Sequence, residues 1–318
     1  MRQSPTLLFI PGSWHKPVCY DILISRLREQ GGLRCISITL PSTNGDPAAT
    51  FKDDLDTARN AIEFETNEDR DVVVIAHSYG GIVGNSAIKG FAKKDNPKSS
   101  DSPESSRKGH VIGLILIASG FALTGLSFMD PLFGHPPPAW RVNATTGYAE
   151  IVADPRQMFY HDLSPEDAEY WTSQLTTQSL KSLFEGGEFV YSGWKDVPSW
   201  YIGTVEDQGL PVVVQRMQVG MARTMGGRVE HRELQTSHSP FLSQPENTAD
   251  IIMEAVEAFM VAGAGMAPQP RSTTTGVVPA PKLFYPLTWL RFGIPLIFGR
   301  FLGRTYMVFS WIRSFWKA

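Results

Sequence analysis

The sequence predicts an α/β protein in which a mostly parallel sheet is covered by helices on both faces. Short runs that are apolar at every position recur along the chain, and segments with helical spacing of apolar residues separate them. A strand that is apolar throughout has both of its faces buried, which is the situation in a parallel sheet between two helical layers. At 318 residues the chain is long enough to bury a large core of this kind.

The first part of the chain contains four of the predicted strands. They are TLLFIPG at 6–12, LRCISITLP at 33–41, DVVVIAH at 71–77 and HVIGLILIAS at 110–119. Apolar residues three and four positions apart predict helices between them, at 17–31, 49–66 and 79–92. The polar, Ser- and Pro-rich run at 93–109 is predicted to be a surface insertion.

The alternation breaks between about 124 and 195. Ser164 is followed three residues later by Asp167, an approximate capping box, so we predict a helical cap inserted into the sheet. Strands and helices then alternate again, as strand 199–205, a helix from Pro211, strand 228–234 and helix 245–262. We therefore predict one domain over 1–262, followed by a Gly-, Pro- and Thr-rich linker at 263–281.

The composition argues against several classes of protein. With 42% hydrophobic and 19% charged residues the chain is not disordered as a whole, and a net charge of −3 argues against nucleic acid as its main partner. Cys19 and Cys35 are too few for a disulfide framework or a zinc site, and they indicate a reducing compartment. The apolar run Leu7–Pro11 is too short for a signal-peptide core. We predict an intracellular, cytoplasmic protein.

The C-terminal segment, residues 282–318, differs from the rest of the chain in charge and aromatic content. From Phe259 onward there are seven basic and no acidic residues, whereas residues 1–258 hold 22 basic and 32 acidic ones. The segment also contains 11 of the 35 aromatic residues. Arginines interrupt its apolar runs, and an arginine near the centre of a membrane-spanning helix costs about 2.5–3.5 kcal/mol. Two alternatives stay open: the segment lies on a membrane surface, or it packs on the domain or on a second subunit.

The stretch AHSYGG at 76–81 has the form of a nucleophile elbow, G-x-S-x-G, with Ala76 in place of the first glycine. In such an elbow the serine occupies a strained bend that exposes its Oγ at the carboxyl end of the sheet. Small residues flank it because neighbouring backbone packs closely around the bend. The strand before it and the helix after it favour Ser78 as a nucleophile over an ordinary strand-to-helix turn.

A serine hydroxyl is a weak nucleophile, so it requires a base and an acid that orients the base. In a fold with this elbow the acid and then the histidine follow the serine in the chain. Of the seven histidines, only His238 lies in a loop after the last predicted strand, and we assign it as the base. Glu206 and Asp207 both follow the preceding strand. Adjacent side chains on an extended segment point in opposite directions, so we expect only one of them to reach His238.

The oxyanion that forms during attack on a carbonyl needs preorganised N–H donors. We expect one from the backbone of Tyr79, the residue after the serine, and one from the backbone of Ser13 in the turn after the first strand. Trp14 and His15 in that turn are candidates for the border of the substrate pocket.

Taken in order, these motifs resemble the α/β-hydrolase superfamily, in particular its methylesterase and hydroxynitrile-lyase-like branch and its fungal natural-product relatives. The resemblance covers about residues 5–262 and depends on LLFIPGSWH, AHSYGG, YIGTVEDQGLP and HSPFLSQPE, together with a cap-like insertion. In this family the acid commonly stands four residues before a proline. Asp207 stands in that relation to Pro211 and Glu206 does not, so the resemblance selects Asp207. Pro11 departs from the histidine that many members have there.

The resemblance implies a serine hydrolase that needs no cofactor and no metal. It implies acyl transfer to Ser78, with His238 moving the proton and water releasing the acyl group. We expect the small-molecule substrate to be an ester, lactone or thioester of an apolar compound, and the resemblance suggests a place in secondary metabolism. Aromatic residues of the insertion are expected to shape the pocket: Phe159, Tyr160, Tyr170, Trp171 and Phe184. Two alternatives remain, a carbon–carbon lyase or cyclase that uses the same triad, and a ligand-binding protein with little turnover.

Overall fold

A computed structural model of the protein describes residues 4–93, 109–263, 275–279 and 285–315. Most of the predicted polar insertion at 93–109, and most of the predicted linker at 263–281, lies outside these residues. Six parallel strands form the central sheet in the order β2-β1-β3-β4-β7-β8. Their bounds are β1 Thr6–Ile10, β2 Arg34–Ser37, β3 Val72–His77, β4 Val111–Ile117, β7 Ser199–Thr204 and β8 Val229–Leu234.

The principal helices of the domain alternate with the strands along the chain. They are α1 Asp21–Gly31, α2 Phe51–Asn67, α3 Gly80–Ala87, α7 Val212–Thr224, α8 Pro240–Ser243 and α9 Pro245–Gly263. A short 3₁₀-helix, Pro17–Tyr20, precedes α1, so the segment predicted as one helix at 17–31 has two parts. The predicted α/β class with a parallel sheet is confirmed.

Helices cover both faces of the sheet, as two close contacts show. Gly84 of α3 lies against the side chains of Val74 and Ala76 in β3. On the neighbouring strand, Gly113 is in register with Val73 and lies against Phe259 of α9. Because alternate residues of a strand point to opposite faces, α3 and α9 lie on opposite sides of the sheet.

The insertion between 124 and 195 contains both helices and strands. Its helices are α4 Pro155–Phe159, α5 Pro165–Ser173 and α6 Leu180–Phe184. At the start of α5, Ser164 Oγ accepts a hydrogen bond of 3.1 Å from the backbone N–H of Asp167, as the capping box predicts. An antiparallel hairpin of β5 Trp140–Asn143 and β6 Tyr148–Ile151 also lies here. This hairpin could not be predicted from the sequence, because four-residue strands are too short to show a clear alternation.

The C-terminal segment packs on the domain. It forms α10 Pro286–Thr288, a short π-helix at Trp289–Gly293 and α11 Ile294–Phe315, and α11 lies along α7. The two helices approach closely because glycines face the contact: a Cβ on Gly299 would lie 1.9 Å from the Met217 carbonyl oxygen, and one on Gly220 would lie 2.4 Å from that of Leu296. No helix in the part of the chain that the structure describes is long and apolar enough to cross a membrane.

Candidate active site

Ser78 occupies a strained bend at the carboxyl end of β3, directly before α3. Its φ is +50°, in the left-handed region that residues with a Cβ rarely adopt. Two hydrogen bonds from its main chain hold the bend: its N–H donates to the Ile117 carbonyl over 3.1 Å, and its carbonyl accepts from Ser119 Oγ over 2.6 Å. The neighbouring strand β4 and the residues after it therefore support the conformation that the elbow motif predicts.

Glycines allow the turn after β1 to touch the elbow. A Cβ on Gly80 would lie 2.4 Å from the carbonyl oxygen of Pro11, and a Cβ on Gly12 would lie 2.9 Å from the Cβ of Ser78. Both distances are shorter than van der Waals contact, so only glycine fits at these two positions. Ser13 and Tyr79, the predicted donors of backbone N–H groups to an oxyanion, follow Gly12 and Ser78 directly and therefore lie in two turns that touch.

Asp207 and His238 are joined by a hydrogen bond of 2.7 Å from His238 Nδ1 to Asp207 Oδ2. Asp207 follows β7 and His238 follows β8, so adjacent parallel strands bring them to the same edge of the sheet. Both side chains are buried. Because a carboxylate only accepts, the bond requires the imidazole proton to be on Nδ1 and leaves Nε2 free to accept a proton.

Five hydrogen-bond donors converge on the Asp207 carboxylate. The backbone N–H groups of Gly209 and Leu210 donate to Oδ1, while Thr204 Oγ1 and Gln215 Nε2 join His238 at Oδ2, at 2.7–3.1 Å. Such a carboxylate has little freedom to rotate, because two of its donors belong to the main chain. It therefore holds the ring of His238 in one orientation.

Glu206, the other acid considered from the sequence, lies away from His238. Its Oε1 accepts a hydrogen bond of 2.9 Å from Gln235 Nε2, and its Oε2 is 3.8 Å from His161 Nε2. Glu206 and Asp207 thus point to different partners, and they do so in a turn that follows β7 and not on the extended backbone that the sequence suggested.

His77 lies beneath His238 and holds its main chain. Its Nε2 donates a hydrogen bond of 3.0 Å to the His238 carbonyl, and the two rings are 4.6 Å apart. Burial lowers the pKa of His77 well below its ordinary value, and the nearby His238 and His15 add to this effect. Burial also lowers the pKa of His15 to about 4. Both rings are therefore neutral at neutral pH, so neither places a fixed positive charge beside His238.

The structure brings Ser78 and His238 to the same edge of the sheet, with His77 as their link. Ser78 follows His77 in the chain, and the ring of His77 contacts that of His238. Among the described residues, no hydrogen bond joins Ser78 Oγ to His238 Nε2. In enzymes without substrate this bond is often long or poorly aligned and tightens only when substrate binds.

A second buried pair lies beside the elbow, where the sequence predicted a role only for the backbone of Tyr79. The Tyr79 hydroxyl donates a hydrogen bond of 2.7 Å to Asp54 Oδ2, and the backbone N–H of Ser42 donates to Asp54 Oδ1 over 2.9 Å. Burial raises the pKa of Asp54 to about 6. The signal in the sequence is an acid in the apolar stripe of α2, between Phe51 and Leu55.

A small pocket opens beside His15. Two of the cap aromatics proposed from the sequence, Tyr160 and Trp171, line it together with Lys16, Val18, Cys19, Gln174 and Leu175. Ser78 does not line this pocket; His15, whose ring is 5.6 Å from that of His77, connects it to the candidate site. In the described ranges no three His, Cys, Asp or Glu side chains converge in a way that could hold a metal ion.

Comparison with known proteins identifies the family. A model of the alpha/beta hydrolase family matches residues 7–251. The chain is 27% identical over 255 residues to alpha/beta hydrolase nvfD of Aspergillus novofumigatus. The aligned region covers 79% of this chain and 96% of that protein.

Solved structures share the fold at low sequence identity. Polyneuridine aldehyde esterase superposes with a TM-score of 0.60 at 18% identity, over 80% of this chain and 99% of that one. A pyrethroid hydrolase from Sphingobium faniae JZ-2 superposes with a TM-score of 0.59 at 19% identity, over 80% and 98%. With its parallel sheet, the elbow after β3 and a family match over more than half of its length, the chain belongs to the alpha/beta hydrolase family.

Proposed function

We propose that this protein is a serine hydrolase that cleaves an ester, lactone or thioester of an apolar small molecule. Ser78 is the nucleophile, His238 the base and Asp207 the acid that orients it. The observation that carries this proposal is the 2.7 Å hydrogen bond between the buried Asp207 and His238, made beside a serine whose φ is +50°.

The proposed reaction begins when His238 Nε2 takes the proton of Ser78 Oγ as the oxygen attacks the carbonyl carbon of the substrate. The carbonyl oxygen becomes an oxyanion, which accepts hydrogen bonds from the backbone N–H groups of Ser13 and Tyr79. Asp207 stabilises the positive charge that His238 then carries. The imidazolium gives its proton to the leaving alcohol or thiol, and an ester to Ser78 remains.

Water completes the cycle by the same steps in reverse. His238 takes a proton from a water molecule whose oxygen attacks the acyl carbon. The second tetrahedral intermediate then collapses as His238 returns the proton to Ser78 Oγ, which releases the acid and restores the Ser78 hydroxyl. The neutral state of His77 and His15 is useful here, because a fixed charge beside His238 would disfavour its transient protonation.

The chemistry near the site supports an apolar substrate. The ring centres of Phe159 and His238 are 5.6 Å apart, and Tyr160 and Trp171 line the pocket beside His15. Two of the proteins with similar folds are named as an esterase and as a pyrethroid hydrolase. A place in secondary metabolism belongs to the same proposal and depends on the resemblance to fungal relatives.

Labelling with a fluorophosphonate, which reacts only with an activated serine, tests the nucleophile directly. We expect one equivalent to be bound at Ser78, and no labelling in Ser78→Ala. Ser173→Ala, which removes an exposed serine of the cap, is the matched control and should label normally. A folded wild-type protein that does not label would overturn the proposal.

Turnover experiments separate a hydrolase from the two alternatives. We expect p-nitrophenyl esters to be hydrolysed by the wild type and not by His238→Ala. In water enriched in ¹⁸O, a hydrolase incorporates one solvent oxygen into the acid product. A natural substrate converted without solvent oxygen would indicate lyase or cyclase chemistry instead, and tight binding with no turnover would indicate a binding protein.

A further inference from the structure

The outward face of α11 is apolar along most of the helix. At 100° per residue, Ile294, Ile297, Phe301, Val308 and Ile312 fall within about 60° of one another, and we call them the outer stripe. Each of these side chains is exposed, from 45% for Ile312 to 64% for Phe301. An exposed apolar stripe of this kind is unusual on a protein surface that faces only water.

The opposite side of α11 is occupied by the domain. Gly299 and Gly303 face the carbonyl oxygens of Met217 and Met221 in α7. The two glycines fall on the helix surface almost diametrically opposite the outer stripe. Packing on α7 therefore directs the outer stripe away from the domain.

Polar contacts fix the tail helices to the domain. Arg216 of α7 donates a hydrogen bond of 2.8 Å to the Arg291 carbonyl and lies 4.2 Å above the ring of Phe292. Farther along, the Tyr306 hydroxyl donates to the Thr124 carbonyl over 3.3 Å. These contacts lie on both halves of the tail, so the direction of the outer stripe is set by the fold.

The charged residues of the C-terminal segment itself are all basic. Arg300 and Arg304 are exposed and fall on the helix surface between the outer stripe and the α7 contact. No Asp or Glu occurs from Phe259 onward, whereas residues 1–258 carry ten more acidic than basic residues. An anionic surface would attract this edge of the molecule and repel the rest of it.

From this arrangement we infer that the outer stripe docks on the surface of an anionic lipid bilayer, with the helix lying in the plane of the membrane. Apolar side chains enter the boundary between headgroups and acyl chains, while arginines beside them contact the lipid phosphates. The aromatic content of the segment suits the same interface. Pairing with a second copy of the chain fits less well, because it would bring the Arg300 and Arg304 rows of two molecules together.

Co-sedimentation of the full chain with lipid vesicles tests this inference. We expect binding to phosphatidylcholine vesicles that contain phosphatidylserine, weaker binding without phosphatidylserine, and release as salt is raised. Removing both arginines, Arg300→Gln with Arg304→Gln, should weaken binding to the anionic vesicles about 30-fold, since each contributes about fivefold. Ile297→Ser with Phe301→Ser should weaken it by about tenfold or more for each side chain.

Two control variants remove similar side chains elsewhere on the surface. Phe64→Ser removes an exposed aromatic of α2, and Arg26→Gln removes an exposed arginine of α1; neither should change vesicle binding. Circular dichroism melting would show that all the variants are folded. Failure of the wild type to bind anionic vesicles would overturn the inference, as would equal binding by the stripe variants and the controls.

Sedimentation velocity without lipid tests whether the outer stripe pairs with a second copy of the chain instead. Membrane docking would be refuted if the wild type does not bind vesicles but forms a dimer, and if Ile297→Ser with Phe301→Ser dissociates that dimer. The outer stripe would then be assigned to contact with a second copy of the chain.

Discussion

Replacing Asp207 with Asn tests how the proposed triad works, because it changes one atom and leaves the shape of the side chain. The main-chain N–H groups of Gly209 and Leu210 point at Oδ1 and cannot turn away. The amide oxygen of the asparagine must therefore take that position. The NH₂ group then lies where Oδ2 was, facing His238 Nδ1 at 2.7 Å.

An NH₂ group can only donate, so His238 must then accept at Nδ1 and carry its proton on Nε2. In that tautomer Nε2 cannot take the proton of Ser78. A wrong histidine tautomer in a serine triad costs about 10⁴-fold in kcat, which is about 5 kcal/mol of transition-state stabilisation. The Thr204 hydroxyl also loses its acceptor at Oδ2, and an unsatisfied buried donor costs about 1–3 kcal/mol of stability, whereas Gln215 Nε2 keeps the Leu210 carbonyl as an acceptor at 2.7 Å.

The assay is p-nitrophenyl ester hydrolysis at neutral pH, with fluorophosphonate labelling as a second readout of the same proton transfer. We expect both rates to fall by about 10⁴-fold in Asp207→Asn. The matched control is Glu206→Gln, which makes the same chemical change one residue earlier, at a carboxylate that contacts Gln235 and not His238. A loss smaller than about tenfold in Asp207→Asn, or an equal loss in Glu206→Gln, would refute the assignment of the acid.

Three further predictions concern the framework of the site. Gly80→Ala places a Cβ 2.4 Å from the main-chain oxygen of Pro11, so we expect a loss of about 1–3 kcal/mol in the free energy of urea unfolding, together with a loss of activity. Gly31→Ala meets side chains and no main chain, namely the flexible end of Met253 and Leu33 Cγ at 3.2 Å, so it should be nearly neutral, and equal effects would contradict the argument. The pKa of Asp54 is raised to about 6 from 3.8, so its contribution to stability is complete below pH 3.8 and is lost as pH rises through 6. Urea unfolding should therefore show the stability of Asp54→Asn rising by about 2 kcal/mol relative to the wild type between pH 4 and 7, and a constant difference would show the expectation to be wrong. Arg216→Met leaves the carboxylate of Glu233 buried without its bidentate partner at 2.7–2.8 Å, which should cost about 3–5 kcal/mol by thermal melting. Arg26→Met, which breaks two exposed ion pairs, with Glu29 and Glu246, should cost less than about 1 kcal/mol, and a similar loss in the two variants would count against this account of Arg216.

The family and the class of fold were predictable from the sequence because their signals are local. Runs such as DVVVIAH indicate that a strand forms and also that its two faces are buried. The elbow motif is equally local, since a strained bend needs small residues at fixed positions around Ser78. The order of Ser78, Asp207 and His238 along the chain follows from the order of the strands, so a sequence that shows the strands also suggests the candidates.

Contacts between distant segments were decided only by the tertiary structure. Tyr79 and Asp54 are 25 residues apart and meet only because α2 and the elbow pack together. No periodic pattern in the sequence predicts such a pair. Which of two adjacent acids faces His238 depends on the direction of one side chain after β7; the sequence could address it only through a family resemblance, whereas the folded chain shows 2.7 Å for Asp207.

For the C-terminal segment too, the sequence determined some properties and the tertiary structure decided others. Its sequence determined an apolar, aromatic and basic segment, but both of the alternatives left open need an apolar face. Gly299 and Gly303 against α7 decided which side of the helix meets the domain, and thereby which side is left for a partner. Composition and spacing determine what a helix can bury, and the shape of the neighbouring surface determines which of its faces is buried.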